Sequence, residues 1–68
     1  MKFIKVKNTD GKNVLINLSN VSHLFSTSET ETTICFTTYE DYIRVKIPID
    51  VLEQGLEAID DSRNVWTF

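Results

Sequence analysis

The stretch Tyr42-Ile43-Arg44-Val45-Lys46-Ile47-Pro48-Ile49-Asp50-Val51-Leu52-Glu53 decides the fold of this chain. In its first half, three β-branched apolar residues alternate with Arg44 and Lys46. Since successive side chains of a strand point to opposite faces, the apolar residues share one face and the basic residues share the other. The pattern predicts a strand that is buried on one side only.

The second half of this stretch predicts a helix. Pro48 has no N–H to donate to a sheet and therefore ends the strand. Asp50 is a residue type that caps helices, and Glu53, three residues later, completes a capping box. Leu52, Leu56 and Ile59 then form one apolar stripe of the helix. We expect this stripe to pack on the sheet and close the core.

The composition indicates one small domain. A single core in a chain of 68 residues rarely supplies more than about 3–5 kcal/mol, so such proteins rely on disulfides, a metal or oligomerisation. With one cysteine, Cys35, and one histidine, His23, neither an internal disulfide nor a Cys/His zinc site is expected. We predict no cofactor, and we expect a homo-oligomer.

Charge and hydropathy narrow the class of partner. No apolar run approaches the roughly 18 residues that a membrane-spanning helix needs. The N-terminal residues alternate charged and apolar side chains, which a signal peptide does not, so we expect a cytoplasmic protein. The net charge of −3 argues weakly against nonspecific nucleic-acid binding.

The remaining elements follow from hydrophobic alternation and turn residues. These patterns predict strands over about 2–8, 13–18, 21–27, 32–38 and 42–47. They also predict a helix over about 51–60 and a short β-like tail over 65–68. The predicted fold class is therefore α+β. It comprises an antiparallel sheet or partly rolled barrel of about five strands, one C-terminal helix and the tail, all in a single domain.

The register of each hairpin can also be predicted. A three-residue loop at Thr9-Asp10-Gly11 pairs Val6 with Val14 and Ile4 with Ile16, which collects the apolar residues on one face. Gly11 then takes the left-handed position of the turn.

Two later loops follow the same reasoning. A turn at Tyr39-Glu40 is expected to pair Phe36 with Ile43 and Ile34 with Val45. A loop over 28–31 is expected to pair Phe25 with Ile34. The predicted core face of the sheet contains Ile4, Val6, Val14, Ile16, Leu18, Phe25, Ile34, Phe36, Ile43, Val45 and Ile47.

The third strand allows two interpretations. Strict alternation from Val21 buries His23 and Phe25, whereas a bulge or helical turn buries Val21 and Leu24 instead. Burying a histidine without a partner costs free energy, and this favours the bulge.

The order of elements resembles the FlbD-like family of small flagellar and swarming-motility proteins. The matching pieces lie within residues 1–60 and are Phe3-Ile4-Lys5-Val6, Asp10-Gly11-Lys12, Val14-Leu15-Ile16-Asn17, Val21-Ser22-His23-Leu24, Thr33-Ile34-Cys35-Phe36-Thr37 and Ile43-Arg44-Val45-Lys46. The family's usual Asn-Gly turn before the last strand is replaced by Tyr39-Glu40-Asp41, and the tail has no counterpart. The resemblance implies a shared architecture. No motility role follows from it.

No catalytic constellation is visible. His23 is the only imidazole, and no Gly-x-Ser-x-Gly elbow frames the serines near it. Cys35 lies between Ile34 and Phe36, so we expect it on the face opposite the core, across from Arg44. We interpret His23 and Cys35 as structural residues and predict that the protein is not an enzyme.

Two regions are candidates for partner binding. The outward face of the sheet carries Lys5, Lys7, Tyr42, Arg44 and Lys46, which form one basic patch if the first and fifth strands lie close together. Exposed aromatics beside arginine or lysine are typical of single-strand nucleic-acid binders.

The other region is the tail, in which Trp66 and Phe68 either pack on the chain's own core or anchor a partner. We predict a non-enzymatic interaction module that self-associates and docks a protein partner. A nucleic-acid-binding module is the alternative, and an enzyme that uses His23 is the least favoured hypothesis.

Overall fold

The computed structural model describes residues 1–38, 40–60 and 62–68, which form two three-stranded sheets and one helix. The strands are β1 (Phe3–Lys7), β2 (Asn13–Asn17), β3 (Val21–Ser28), β4 (Glu31–Phe36), β5 (Tyr42–Val45) and β6 (Val65–Thr67), and the helix is α1 (Ile49–Ala58). The sheets have the strand orders β2-β1-β6 and β3-β4-β5. A 3₁₀ turn, Leu18–Asn20, joins β2 to β3. The predicted α+β class is confirmed, and the described strands form no closed barrel.

The first hairpin has the predicted register. Ile4 pairs with Ile16 and Val6 pairs with Val14 across antiparallel strands. The Asn8 side chain accepts hydrogen bonds from the backbone N–H groups of Asp10 and Lys12, which fixes the loop. Gly11 has a φ of 82°, so it occupies the left-handed region that glycine tolerates best.

The two sheets meet where β1 ends. Asn8 forms a single antiparallel bridge with Val45, and the Thr9 N–H donates to the Arg44 carbonyl oxygen over 3.2 Å. One edge of β1 therefore has two neighbours. β6 pairs with this edge up to Lys5, and the end of β5 approaches it after Lys5. The contact between the first and fifth strands is thus a bridge at the end of β1, and the two strands belong to different sheets.

The core lies between the two sheets and the helix. Its buried members are Ile4, Val6, Ile16, Ile34, Val45, Leu52 and Ile59. Partly buried residues surround them, and these are Val14, Leu18, Val21, Leu24, Phe36, Ile43, Ile47, Leu56, Trp66 and Phe68. The predicted stripe of Leu52, Leu56 and Ile59 is confirmed, and of the predicted sheet face only Phe25 is missing.

The hairpin between β4 and β5 differs from the prediction by two residues. Ile34 pairs with Ile43, and Cys35 pairs with Tyr42, so the connection is longer than the predicted two-residue turn. Tyr39, half of that predicted turn, lies outside the described residues. A shift of two residues leaves every side chain on its predicted face, because the side-chain period of a strand is two. The apolar pattern alone cannot distinguish these registers.

The hairpin between β3 and β4 corrects the position of Phe25. The pairing is irregular between Val21 and His23, and Leu24 then pairs with Ile34 on the inner face. The bulge interpretation is confirmed, since Leu24 packs on the core and His23 is exposed. Phe25 pairs with Thr33 and points outward, so its predicted pairing with Ile34 is wrong.

The start of the helix also differs from the prediction. Pro48 is the N-cap, with φ −59° and ψ 145°, and its carbonyl oxygen accepts from the N–H groups of Val51 and Leu52. Asp50 therefore lies inside the first turn, and no side chain caps the helix. A carboxylate there still interacts favourably with the helix dipole. The helix begins two residues earlier than predicted because the Pro48 carbonyl oxygen, and not an Asp50 cap, accepts its first hydrogen bonds.

The tail packs on its own chain. β6 pairs with β1 in parallel, with Trp66 opposite Ile4, and both Trp66 and Phe68 contact the core cluster. This is the first of the two arrangements that the sequence left open. No helix among the described residues is long and apolar enough to cross a membrane.

Candidate functional site

The bulge in β3 creates a distinctive surface on the outside of the β3-β4-β5 sheet. His23, Cys35 and Tyr42 form one row across the three strands, and Phe25, Thr33 and Arg44 form the next. We call these two rows the aromatic face. It contains both Tyr42 and Arg44, two of the residues that the sequence predicts for partner binding.

Two large aromatic side chains are half-exposed on the aromatic face. Phe25 is 49% exposed and Tyr42 is 55% exposed. They line a shallow cavity of about 200 Å³ together with Thr27, Thr33, Cys35 and Arg44. Thr33 forms the base of this cavity, because it is only 5% exposed and its hydroxyl is hydrogen-bonded to that of Thr27. The face therefore combines a buried, hydrogen-bonded base with exposed apolar area.

Arg44 gives the aromatic face its positive charge. Its guanidinium carbon lies 5.7 Å from the centre of the Tyr42 ring, within the range of a cation–π interaction. The stacked guanidinium keeps its outer N–H groups in solvent, where they can bind a carboxylate in bidentate geometry. The arrangement suits a partner that presents both apolar and acidic groups.

His23 lies at one end of the aromatic face. Its Nδ1 is 2.8 Å from the Ser22 hydroxyl, and its ring stacks on Phe25 with 6.3 Å between ring centres. The same hydroxyl lies 3.3 Å from the Cys35 carbonyl oxygen. His23 is thus an exposed aromatic neighbour of Phe25. Over the described ranges, no three His, Cys, Asp or Glu side chains are grouped so as to hold a metal ion.

The basic residues that the sequence predicts to form one patch lie along the line where the two sheets meet. The Asn8–Val45 bridge brings Lys7 and Lys46 to a common cavity of about 330 Å³, whose lining includes Ile47 and Phe68. Lys5 lies on the outer side of β1, between Leu15 and Thr67. Arg44 belongs to the aromatic face. The structure therefore brings Lys7 and Lys46 together, with Lys5 and Arg44 on either side.

The aromatic side chains of the tail pack against the chain's own helix and core. An ideal Cβ at Gly55 would lie 2.9 Å from the Trp66 indole nitrogen and closer still to the Phe68 ring. The Arg63 guanidinium lies 5.9 Å from the centre of the Trp66 ring. Trp66 and Phe68 thus act as core residues here, and they do not share a surface with Tyr42.

The acidic side of the molecule is separate from the aromatic face. Asp50, Glu53 and Glu57 are exposed on α1. Glu53 and Glu57 border an apolar groove of about 420 Å³ lined by Leu24, Ile49 and Leu56. Arg44 of the aromatic face and these acidic residues of α1 therefore lie on different elements of the fold.

Sequence reasoning missed Phe25 and His23 as members of the aromatic face. Strict alternation places the Phe25 side chain on the core face, because Phe25 follows Val21 by four residues, an even number. The available signal was the spacing of Val21 and Leu24, which share one face only if the strand contains an irregularity.

No family model, curated protein or solved structure matches this chain. The resemblance to the FlbD-like family therefore stays a prediction, and the structure is the basis for the functional proposal.

Proposed function

We propose that this protein is a non-enzymatic interaction module that self-associates and docks a protein partner. The observation that carries the docking proposal is the pair of half-exposed aromatics, Phe25 and Tyr42, with Arg44 stacked beside them. Aromatic residues and arginine dominate the binding energy of protein interfaces. The proposed compartment is the cytoplasm, where a free thiol such as that of Cys35 stays reduced.

The chemistry of the aromatic face indicates the kind of partner surface. Among the described residues, Arg44 is the charged group that lines the cavity, and no carboxylate does. A complementary partner therefore offers one or two carboxylates beside an apolar side chain that fills the space between Phe25 and Tyr42. In protein interfaces, the few residues of this kind that act as hot spots each cost about 2 kcal/mol or more when they are truncated to alanine.

The test is site-specific photo-crosslinking in cells that produce the full chain. A photoreactive phenylalanine analogue replaces Phe25 in one variant and Val51 in the matched control, because Val51 is similarly exposed at 47%. We expect a discrete protein to be crosslinked from position 25 and not from position 51. Mass spectrometry then identifies it, and the purified pair is titrated.

The titration decides whether the contact is specific. Tyr42→Ala and Arg44→Ala should each weaken the purified complex at least tenfold, whereas Lys12→Ala in the first turn should not. Equal crosslinking at positions 25 and 51, or equal affinity of all three variants, would contradict docking at the aromatic face.

A nucleic-acid-binding module is the second candidate, and one observation favours it. Lys7 and Lys46 line one cavity, next to the strand that carries Tyr42 and Arg44, so phosphates and bases would have adjacent contacts. Fluorescence anisotropy with single-stranded oligonucleotides at low salt tests this candidate. Binding should weaken steeply with salt and with Lys7→Gln. An unchanged anisotropy at millimolar protein would remove the candidate.

A further inference from the structure

The self-association in the proposed function requires a surface, and the free edge of β2 has the properties of one. In the β1–β2 hairpin, the Leu18 N–H donates to the Lys2 carbonyl oxygen and the Asn8 N–H donates to the Lys12 carbonyl oxygen, both over 2.9 Å. Even-numbered residues of β1 thus direct their backbone groups at β2. The opposite residues of β2, Val14 and Ile16, direct theirs back at β1.

The odd-numbered residues of β2 consequently direct their backbone groups away from the sheet. On the other edge of β1, the hydrogen bonds likewise come from odd-numbered residues. The Phe3 N–H donates to the Asn64 carbonyl oxygen, and the Phe68 N–H donates to the Lys5 carbonyl oxygen. Asn13, Leu15 and Asn17 therefore present three N–H and three carbonyl groups at an edge that has no neighbouring strand among the described residues. The edge adjoins an open cleft of about 390 Å³.

This edge lacks the features by which proteins usually prevent strand addition. Edge strands are commonly protected by charges, proline or bulges. β2 reads Asn13-Val14-Leu15-Ile16-Asn17, with no charge and no proline, and its pairing with β1 is regular throughout. Leu15, at the centre of the strand, is 57% exposed. By contrast, the free edge of β3 belongs to a strand with two irregularities.

We infer that β2 pairs with β2 of a second copy of this chain, antiparallel across a two-fold axis at Leu15. The strand is self-complementary in this register. Leu15 lies opposite Leu15 of the second copy, and Asn13 lies opposite Asn17, so all three outward residues form hydrogen-bonded pairs. The neutral Asn13 and Asn17 introduce no repulsion. The product is one continuous sheet with the order β6-β1-β2-β2-β1-β6.

A second copy suits this edge for two further reasons. An isologous contact closes on itself, so a dimer forms and a filament does not. The pairing also covers the exposed Leu15 side chains, which come together on the outer face of the joined sheet. A domain this small gains proportionally more from such burial than a large one.

Sedimentation velocity over micromolar to millimolar concentrations tests the inference with the full chain. We expect the wild-type mass to rise from 7.8 kDa to twice that value. Leu15→Lys should weaken dimerisation at least tenfold, because the two introduced ammonium groups would face each other across the axis. Val65→Lys is the matched control, since Val65 is 45% exposed on the outer face of β6, and it should leave the dimer unchanged.

A backbone variant separates strand pairing from side-chain contact. Chemical synthesis of the chain with an N-methyl group on Leu15 removes the outward N–H and keeps the side chain. This variant should remain folded and monomeric. In the wild type, the Leu15 amide should exchange more slowly as concentration rises, whereas the Val14 amide, already bonded to β1, should not change.

The outcomes distinguish this inference from the proposed function on which it rests. A wild-type dimer that survives both Leu15 changes overturns β2 pairing and leaves self-association through another surface. A wild-type chain that is monomeric at millimolar concentration overturns self-association itself. Docking at the aromatic face is tested separately, by crosslinking from position 25.

Discussion

The Phe68 ring lies against the backbone of Gly55, on the face of α1 that is turned toward β6. Gly55 is buried, and the Trp66 indole occupies the adjacent space. A glycine inside a helix usually costs about 1 kcal/mol relative to alanine. Here the missing side chain allows the two tail aromatics to cover the helix, so the tail completes the core.

We expect Gly55→Ala to destabilise the protein although alanine is the better helix former. An added methyl group would overlap the Phe68 ring, and overpacking of this kind costs about 1–3 kcal/mol. Urea unfolding followed by circular dichroism measures the change. In a Phe68→Ala background the same substitution should cost less. An equal cost in both backgrounds would contradict the contact.

Leu24 and Phe25 should respond to substitution in opposite ways. Leu24→Ala should lower the free energy of unfolding by about 1–2 kcal/mol, because Leu24 packs on the core but is only half-buried. Phe25→Ser should change it by less than about 0.5 kcal/mol, as is usual for exposed sites. Thermal unfolding of the two variants checks this, and the reverse ranking would place Phe25 inside.

Substitution of Thr32 should lower the stability of the protein more than the small size of its side chain suggests. It is fully buried, and its hydroxyl donates to the Ile47 carbonyl oxygen over 2.7 Å, just before Pro48. Thr32→Val keeps the shape and removes this donor, so we expect a loss of about 1–3 kcal/mol from the unsatisfied carbonyl. Thr67→Val, on exposed β6, is the control and should be nearly neutral. Chemical denaturation of both variants measures the difference.

Glu40 has a backbone conformation that glycine would adopt more easily. Its φ of 60° lies in the left-handed region, where a residue with a Cβ pays roughly 1–2 kcal/mol. Glu40→Gly should therefore stabilise the protein, by about 0.5–1 kcal/mol after the entropy of the unfolded chain is included. Asp41→Gly is the matched control and should not stabilise. A melting temperature that falls with Glu40→Gly would contradict the strain.

Asp60 should make stability depend on acid pH. The Ser62 hydroxyl and the backbone N–H groups of Arg63 and Ser62 donate to its carboxylate, which holds the pKa of Asp60 below its ordinary value. A lowered folded-state pKa contributes stability that is complete above the unfolded pKa of about 3.9 and is lost as the pH falls toward the folded pKa.

The Asp60→Asn variant tests this contribution. Its stability relative to wild type should be lower at neutral pH, and the difference should shrink as the pH falls below about 4, near the unfolded carboxyl pKa. Thermal melts across acid pH measure the difference. A gap that stays constant down to low pH would show that the carboxylate charge is not involved.

The sequence by itself determined the local structure of this protein. Alternation of Ile43 and Val45 with charged residues predicted the strand β5, and Pro48 separated it from the helix. The Thr9–Gly11 loop fixed its hairpin because a slip of one residue would expose Ile4 and Val6. These conclusions depend on side-chain period and turn chemistry, which are properties of short segments.

Only the tertiary structure decided which side chains share a surface. The shift of the β4–β5 hairpin by two residues preserved every face, so no pattern of apolar residues could reveal it. The bulge before His23 placed Phe25 beside Tyr42, because Leu24 packs more favourably on the core than a histidine does. The close approach of Phe68 to Gly55 brought the tail onto its own helix. Each of these outcomes depends on how one element packs against another, and the pattern of a single segment does not contain that information.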